Sequence, residues 1–385
     1  MPKQDLMKTD ARKKIMFVSG EASGDKHAAK LIERLQKDEH IECYGMGMQK
    51  MKQAGMHLLV NAEPLAVIGI VEILTHYPAL RSAFRTLKQA LIDNPPDLLV
   101  LVDYPEFNLK LARIASKHNI KILYYISPQL WAWRQYRIKK IKRYINHMAV
   151  IFPFEKRFYQ QHKVPVSYVG HPLIEDLKEW EAHNPEPINN QGKNKTVLLL
   201  PGSRKGEIKR LLPLLIKTAM IMQQRLNDDI HFRLLVAPDI DINLYRRYLN
   251  NHRLDCDLSN QHTYSEMKNA DLAISATGTA TLQLALCGTP HIATHKLAPL
   301  SYWLLRWFIK IRYASMPNII ADRPLVAEYL QNDATPENLS NHACKLLNDS
   351  EMRRTMAREL LALRNSFGNA SAAKTTCELI YKLID

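Results

Sequence analysis

The stretch Leu198–Arg210, LLLPGSRKGEIKR, constrains this chain more than any other. Apolar, strand-forming residues from Thr196 to Leu200 run into Pro201-Gly202-Ser203-Arg204, and a basic segment then opens an amphipathic helix carrying Leu211, Leu212, Leu214 and Leu215. Strand, small-residue turn and helix in that order are the α/β geometry that aims backbone N–H groups and the positive helix end at a phosphate. Gly202 lets a ligand approach the backbone, Ser203 has a helix-capping side chain, and Arg204 adds a planar fork for phosphate oxygens. An ordinary βα turn with a solvated basic face has the same local pattern. The spacing G-x-x-x-x-G-K-[ST] is absent, which argues against a P-loop NTPase.

The alternation recurs along the whole chain. At 385 residues the sequence exceeds what one core usually holds, so two domains are expected. Lys and Arg outnumber Asp and Glu by 53 to 38, a net charge of +15 that attracts a polyanion, an anionic membrane face or phosphorylated substrates alike. The five cysteines are scattered, with no C-x-x-C pair and no metal spacing, which fits a reduced, cytosolic compartment. The opening MPKQDLMKTDARKK has no apolar core of a signal peptide, and no run reaches the length of a membrane span.

In the first half, strand 14–18 leads into Ser19-Gly20-Glu21-Ala22-Ser23-Gly24-Asp25 and a helix, a ligand-side βα turn without the G-x-G-x-x-G spacing of a dinucleotide site. Strand 41–44 follows. Residues 64–80 are more apolar than a surface helix needs, which suits either a buried helix or a hydrophobic landing surface. The uninterrupted apolar run 98–102 reads as a central parallel strand that delivers Asp103 to its carboxyl edge, where a carboxylate reaches a bound hydroxyl or merely caps the next helix. Strand 121–126 leads to Ser127-Pro128-Gln129-Leu130-Trp131-Ala132-Trp133-Arg134 and a basic run through Arg143, which suits stacking on and neutralising nucleic acid, a face for phosphates or anionic lipid, or simply a solvated face. The polar stretch 181–195, with two prolines, has linker composition. In the second half, strand 272–275 enters Ala276-Thr277-Gly278-Thr279, a second small-residue turn at a helix start; two such turns in one domain favour a diphosphate ligand. Residues 297–313 interleave Trp303, Trp307 and Phe308 with Arg306, Lys310 and Arg312, the pattern of an interfacial membrane helix or of a packed core helix.

Two doubly wound halves, a linker and a helical C-terminus describe a GT-B glycosyltransferase layout, and the motifs go further. The chain resembles the lipid-A-disaccharide synthase family along nearly its whole length, in SGEASGD (19–25), AVIGIVEIL (66–74), DYPEFNL from Asp103, SPQLWAWRQYR (127–137), FPFEKRFY (152–159), VGHPL (169–173), LPGSRKGEIKRLLP (200–213), ATGTATLQLAL (276–286) and SMPNIIA (315–321). The resemblance implies two Rossmann-like domains facing a central cleft: an acceptor domain over 1–175, a UDP-sugar domain over 176–350, and C-terminal helices over 351–385 packing back on the first. It implies inverting transfer of 2,3-diacylglucosamine from UDP to the 6-hydroxyl of 2,3-diacylglucosamine 1-phosphate (lipid X), with no cofactor and no metal. Asp103 matches the family's base and Glu21 stands with it. Gly202, Ser203 and Arg204, with Thr277, Gly278, Thr279, Gln283 and Asn318, match the donor site, while Ser19, Ser23 and Asp25 line the loop on the acceptor side. It further implies a peripheral enzyme on the cytoplasmic face of an anionic inner membrane, touched through Trp303, Trp307 and Phe308; a homodimer is compatible with it. Gln283 replaces the family's usual Glu, Tyr104 a small residue, Glu106 an Asp and Met48 a Gly.

A UDP-N-acetylglucosamine 2-epimerase of the same fold would need neither apolar surface segment. A non-catalytic nucleic-acid binder is disfavoured by the retained Asp103 and Arg204 and by the lack of any RRM, helix-turn-helix or zinc-finger signature.

Overall fold

Both runs of strand–helix alternation close into parallel sheets in the computed structural model, which describes residues 12–66, 73–184, 195–226, 230–237, 240–252, 254–260, 264–297 and 312–385. The first sheet contains β1 (Lys13–Ser19), β2 (Ile41–Gly47), β3 (His57–Asn61), β4 (Leu98–Val102), β5 (Lys121–Tyr125), β6 (His147–Val150) and β7 (Val166–Tyr168), in the order β3-β2-β1-β4-β5-β6-β7. The second contains β8 (Lys195–Leu200), β9 (Ile230–Leu235), β10 (Asp257–Ser259), β11 (Leu272–Ala276), β12 (His291–His295) and β13 (Glu328–Leu330), in the order β10-β9-β8-β11-β12-β13. In each sheet the chain first builds outward on one side and then returns to the other. The strand order therefore reverses between β1 and β4, and again between β8 and β11. Ligands of open α/β sheets bind at such reversals, beyond the carboxyl ends of the strands.

The burial explains the apolar runs. All five residues of β4 are fully buried between β1 and β5. On β8, Val197 and Leu199 join one core cluster while Leu198 and Leu200 join another, so both faces of the strand are covered, as a doubly wound sheet requires. Strands β3, β12 and β13 had no clear sequence signal. Two of them are edge strands, and β12 (HIATH) buries His291 and Thr294, whose Nδ1 and hydroxyl are met by the carbonyls of Thr289 at 2.9 Å and Tyr329 at 2.9 Å.

The chain divides into two compact units, residues 1–172 with 369–385, and residues 173–368. The helix Ala372–Ile384 belongs to the first unit and packs on the helix Ala22–Leu35. Its last carbonyls accept from Lys13 Nζ at 3.2 Å and Lys121 Nζ at 2.6 Å, cations at the start of β1 and β5 that complement the negative helix end. The helix Ser350–Asn365, expected to pack with it on the first domain, belongs instead to the second unit. There Arg364 makes a two-pronged pair with Glu181 at 2.9 and 2.7 Å, and Lys268 adds a third contact at 2.6 Å. The Arg364 hydrogen bonds, against the opposing effect of burial and helped by Lys268, pull the Glu181 carboxyl down to about 2. Residues 181–183, read as linker from composition, therefore end the helix Pro172–His183, and 185–194 lie outside the described residues.

The apolar stretch 64–80 falls on the helices Glu63–Ala66 and Ile73–Asp93, with 67–72 outside the described residues. Trp303, Trp307 and Phe308 also lie outside them. Among the described residues no helix is long and apolar enough to cross a membrane, and no cluster of three His, Cys, Asp or Glu is placed to hold a metal ion.

Candidate active site

In the first unit, Asp103 follows β4 directly and sits at the strand-order reversal, with the β1 turn as its neighbour. Its backbone is left-handed (φ 46°), and so is that of Tyr104 (φ 48°). Ile126, at the end of β5, has φ 60°, an outlier for a β-branched residue. Such strain persists only where the surroundings over-determine it. Here the Asp103 carbonyl accepts the Tyr124 hydroxyl at 2.5 Å and Asn108 Nδ2 at 2.7 Å, while the Asp103 amide donates to the Tyr125 carbonyl at 3.1 Å. Asn108 and Tyr124 are both fully buried. Burial, and then the nearby Asp103 charge, push the Tyr124 phenol well above its ordinary range, so it stays a donor.

Tyr104 lies across the β1 turn: a Cβ on Gly20 would fall 2.5 Å from its ring, so only glycine fits beneath it. Its phenol is raised by burial and then by the charge of Glu21, the residue after Gly20. Glu21 caps the helix Ala22–Leu35 through its carbonyl, leaving its carboxylate out of the cap. The other residues of this loop divide. Ser23 is exposed, whereas Ser19 is buried, its hydroxyl 3.4 Å from the Glu21 carbonyl. Asp25 is buried and accepts the amides of Met48 at 2.6 Å and Lys50 at 3.0 Å. It caps the helix Gln49–Gln53 and braces the loop rather than lining it.

In the second unit both small-residue turns fall at the β8/β11 reversal. Gly202 has φ 105°, and a Cβ there would stand 2.1 Å from Glu207 Oε2. That carboxylate accepts the Ser203 amide at 3.2 Å, so Glu207 closes the turn in the place expected for the Ser203 hydroxyl. Burial raises the Glu207 carboxyl against the lowering effect of the Ser203 amide and the charges of Arg204 and Arg210. His295 stands 3.5 Å away, its imidazole lowered by burial and then by Arg210. Arg204 is exposed at the start of the helix Lys205–Leu226. Gly278 opens the helix Thr279–Cys287 with nothing within 4 Å of where a Cβ would be, so this helix end is open to a ligand. Thr277 and Thr279 flank it, half-buried and exposed respectively, and the Gln283 side chain reaches the phenol of Tyr264.

Asn318, expected in the donor site, has every polar atom of its side chain engaged within the second unit. It is buried, donates to the Val326 carbonyl at 2.9 Å and Glu328 Oε1 at 2.8 Å, and accepts the amides of Leu325 at 2.8 Å and Val326 at 2.9 Å. Its amide is thereby committed to the fold. Glu328 also takes the amides of Ala314 and Ser315, each at 2.9 Å, and fixes the start of the helix Met316–Ala321. Glu207, Glu328, Asn108 and Tyr124 were missed as supports: Glu207 and Asn108 lie inside the motifs and act only four and five residues away, where a side chain's partner cannot be read from spacing, while Tyr124 and Glu328 act on residues that the fold brings near.

The family model described as lipid-A-disaccharide synthetase matches residues 15–378. The chain belongs to this family. It is 38% identical over 97% of its length to a lipid-A-disaccharide synthase of Trichlorobacter lovleyi, covering 98% of that protein. To one of Nitrosococcus oceani it is 40% identical, covering 96% of each chain. Among solved structures it is similar to the glycotransferase of kitacinnamycin (TM-score 0.65, 14% identity, 97% of this chain and 100% of that one). It is similar also to the UDP-GlcNAc 2-epimerase of Neisseria meningitidis bound to UDP-GlcNAc (TM-score 0.62, 13% identity, 96% and 100%). At such identities these two show the fold alone, GT-B. Membership of the synthetase family makes the protein a glycosyltransferase.

Proposed function

We propose that the protein joins the 2,3-diacylglucosamine of a UDP donor to the 6-hydroxyl of 2,3-diacylglucosamine 1-phosphate, inverting the anomeric carbon and releasing UDP. The observation that carries the reading is Asp103, whose backbone carbonyl is held by Tyr124 and Asn108 on a strained strand end at a sheet reversal, so that its carboxylate has a fixed origin. In this reading Asp103 takes the proton of the acceptor hydroxyl as its oxygen forms the bond to the anomeric carbon, and the glycosidic bond to UDP breaks. Glu21, beside Tyr104, orients the acceptor sugar. Charge that builds on the leaving diphosphate is met by Arg204, the Ser203 hydroxyl and the amides at Gly202, Gly278 and Thr279, aided by the positive ends of two helices. Thr277 and Gln283 complete the nucleotide side. Asn318 acts there through the helix it positions.

Diacylated substrates live in a bilayer, and the protein would meet them on the anionic cytoplasmic face of the inner membrane. The net charge of +15 supports this, as does the helix Ile73–Asp93, where Tyr77 is 61% exposed and Arg81, Arg85 and Lys88 form an exposed basic stripe. Trp303, Trp307 and Phe308 are proposed to join that contact. The test is UDP release with diacylated donor and acceptor, compared with soluble UDP-N-acetylglucosamine. Turnover requiring both lipid substrates is expected, whereas turnover on UDP-N-acetylglucosamine alone would overturn the reading.

A further inference from the structure

Beside Asp103, on the same edge of the first sheet, stands a pair of arginines that the reaction as written does not use. Arg134 and Arg137 both donate to one carboxylate oxygen, Oε1 of Glu106. Arg137 is an unusual residue to find here, because its side chain is only 7% exposed while Glu106, its anionic partner, is 66% exposed. A buried guanidinium is thus neutralised by a carboxylate lying in solvent. Arg134 is itself held in a left-handed conformation (φ 53°), with its guanidinium 4.4 Å over the Trp133 ring. Strain and stacking together fix the second fork in place.

The charges do not balance. Burial would raise the Glu106 carboxyl, but the hydrogen bond and charge of Arg137, then those of Arg134, lower it, so Glu106 is a monoanion facing two cations. A phosphomonoester carries about −1.5 to −2 at neutral pH and three acceptor oxygens, a closer match to two guanidinium forks than one carboxylate oxygen offers. Displacing Glu106 moves an already exposed carboxylate into water, while the incoming phosphate keeps the buried Arg137 guanidinium neutralised. The site also lies close to the base. Glu106 is in the first turn of the helix Pro105–Lys117, whose positive end faces the same way. The charges of Arg137 and Asp103 both act on the phenol of Tyr124, the residue that holds the Asp103 carbonyl.

We infer that Arg134 and Arg137 form a phosphomonoester site which takes the phosphate of the acceptor sugar, with Glu106 as the stand-in anion that leaves when it binds. The acceptor is then anchored at its phosphate and presents its far hydroxyl to Asp103. This rests on the transferase reading above, and it makes the phosphate a specificity determinant of that site.

The experiment compares two acceptors, 2,3-diacylglucosamine 1-phosphate and 2,3-diacylglucosamine, with wild type, Arg134→Ala and Glu106→Gln, each checked for an unchanged thermal melt. Losing one charge-assisted contact should raise the KM for the phosphorylated acceptor ~10–100-fold in Arg134→Ala. The donor KM should stay within about twofold, and rates on the phosphate-free acceptor should be untouched. Glu106→Gln, which removes the competing anion, should lower the phosphorylated-acceptor KM several-fold. Inorganic phosphate should compete with the acceptor in wild type and far less in Arg134→Ala. Equal losses on both acceptors, or a change confined to the donor KM, would overturn the assignment. So would an Arg134→Ala protein with normal acceptor KM but weaker pelleting with phosphatidylglycerol vesicles, because the arginines would then face lipid headgroups. A wild type that transfers to neither acceptor refutes the transferase reading itself, a result distinct from all of these.

Discussion

Replacing Gly202 by Ala tests the turn that carries the donor site, and the structure sets the size of the effect. At φ 105° an L-residue is strained by about 1–3 kcal/mol. The added Cβ would also stand 2.1 Å from Glu207 Oε2, so the carboxylate must leave the Ser203 amide that it now accepts at 3.2 Å. A hydrogen bond to a charged group contributes about 1.5–3 kcal/mol. Burial raises the Glu207 carboxyl, so desolvation offsets part of that and places the expectation at its lower end. Gly202→Ala should therefore cost roughly 2.5–5 kcal/mol. Glu207→Ala alone should lose only the cap, and the double variant should lose strain plus cap, the cap being counted once. The cycle should then be sub-additive by about 1.5–2 kcal/mol. Denaturant unfolding at constant m-value measures all three, and UDP titration of the folded variants reports the site. Additivity within about 0.3 kcal/mol would show that Gly202 and Glu207 are not coupled and that the turn is held by something else.

Asp103→Asn should cut transfer ~10²–10⁴-fold while UDP affinity and melting temperature hold, and near-normal turnover would remove Asp103 from the role of base. Gln283→Glu should tighten UDP by about 0.5–1.5 kcal/mol if this side chain meets the ribose hydroxyls; weaker binding in a titration would mean it stays on Tyr264. Asn318→Ala should destabilise the second unit by about 2–4 kcal/mol, because the Leu325 and Val326 amides lose their acceptor. A fully stable variant with lost UDP binding would instead make Asn318 a direct contact. Glu155 is fully buried, accepting the Phe152 amide and Trp131 Nε1 at 3.2 Å each, and burial, despite those bonds, pushes its carboxyl to about 8. A raised acid is protonated in the fold and ionised in the unfolded chain, so its stability is full below the ordinary carboxylate pKa and is lost as pH rises toward 8. Glu155→Gln should flatten the stability profile between about pH 5 and 8, and profiles that stay parallel would refute that environment.

What the sequence determined by itself is the material of both sheets and the position of the two reversals. Runs such as 98–102 and 196–200 are apolar without alternation because both faces of a central parallel strand are covered, and that requirement is written residue by residue. The turns at 19–25, 201–204 and 276–279 were legible for a similar reason, since glycine and small hydroxyl residues answer to the local backbone. Asp103 and Arg204 were legible because they stand beside those turns. The roles of Asp25, Asn318 and Glu207 were not, because nothing in a carboxylate or amide says whether its partner is a ligand or a distant backbone. Asp25 meets amides 23 and 25 residues away, Asn318 holds a loop and Glu328, and Glu207 closes the turn it follows. The destination of the C-terminal helices was decided in three dimensions too. Arg364 finds Glu181 and keeps Ser350–Asn365 with the second unit, while Lys13 and Lys121 receive the end of Ala372–Ile384 in the first. A helix's composition reports its apolar face, and only the folded chain supplies the surface and charges that face will meet.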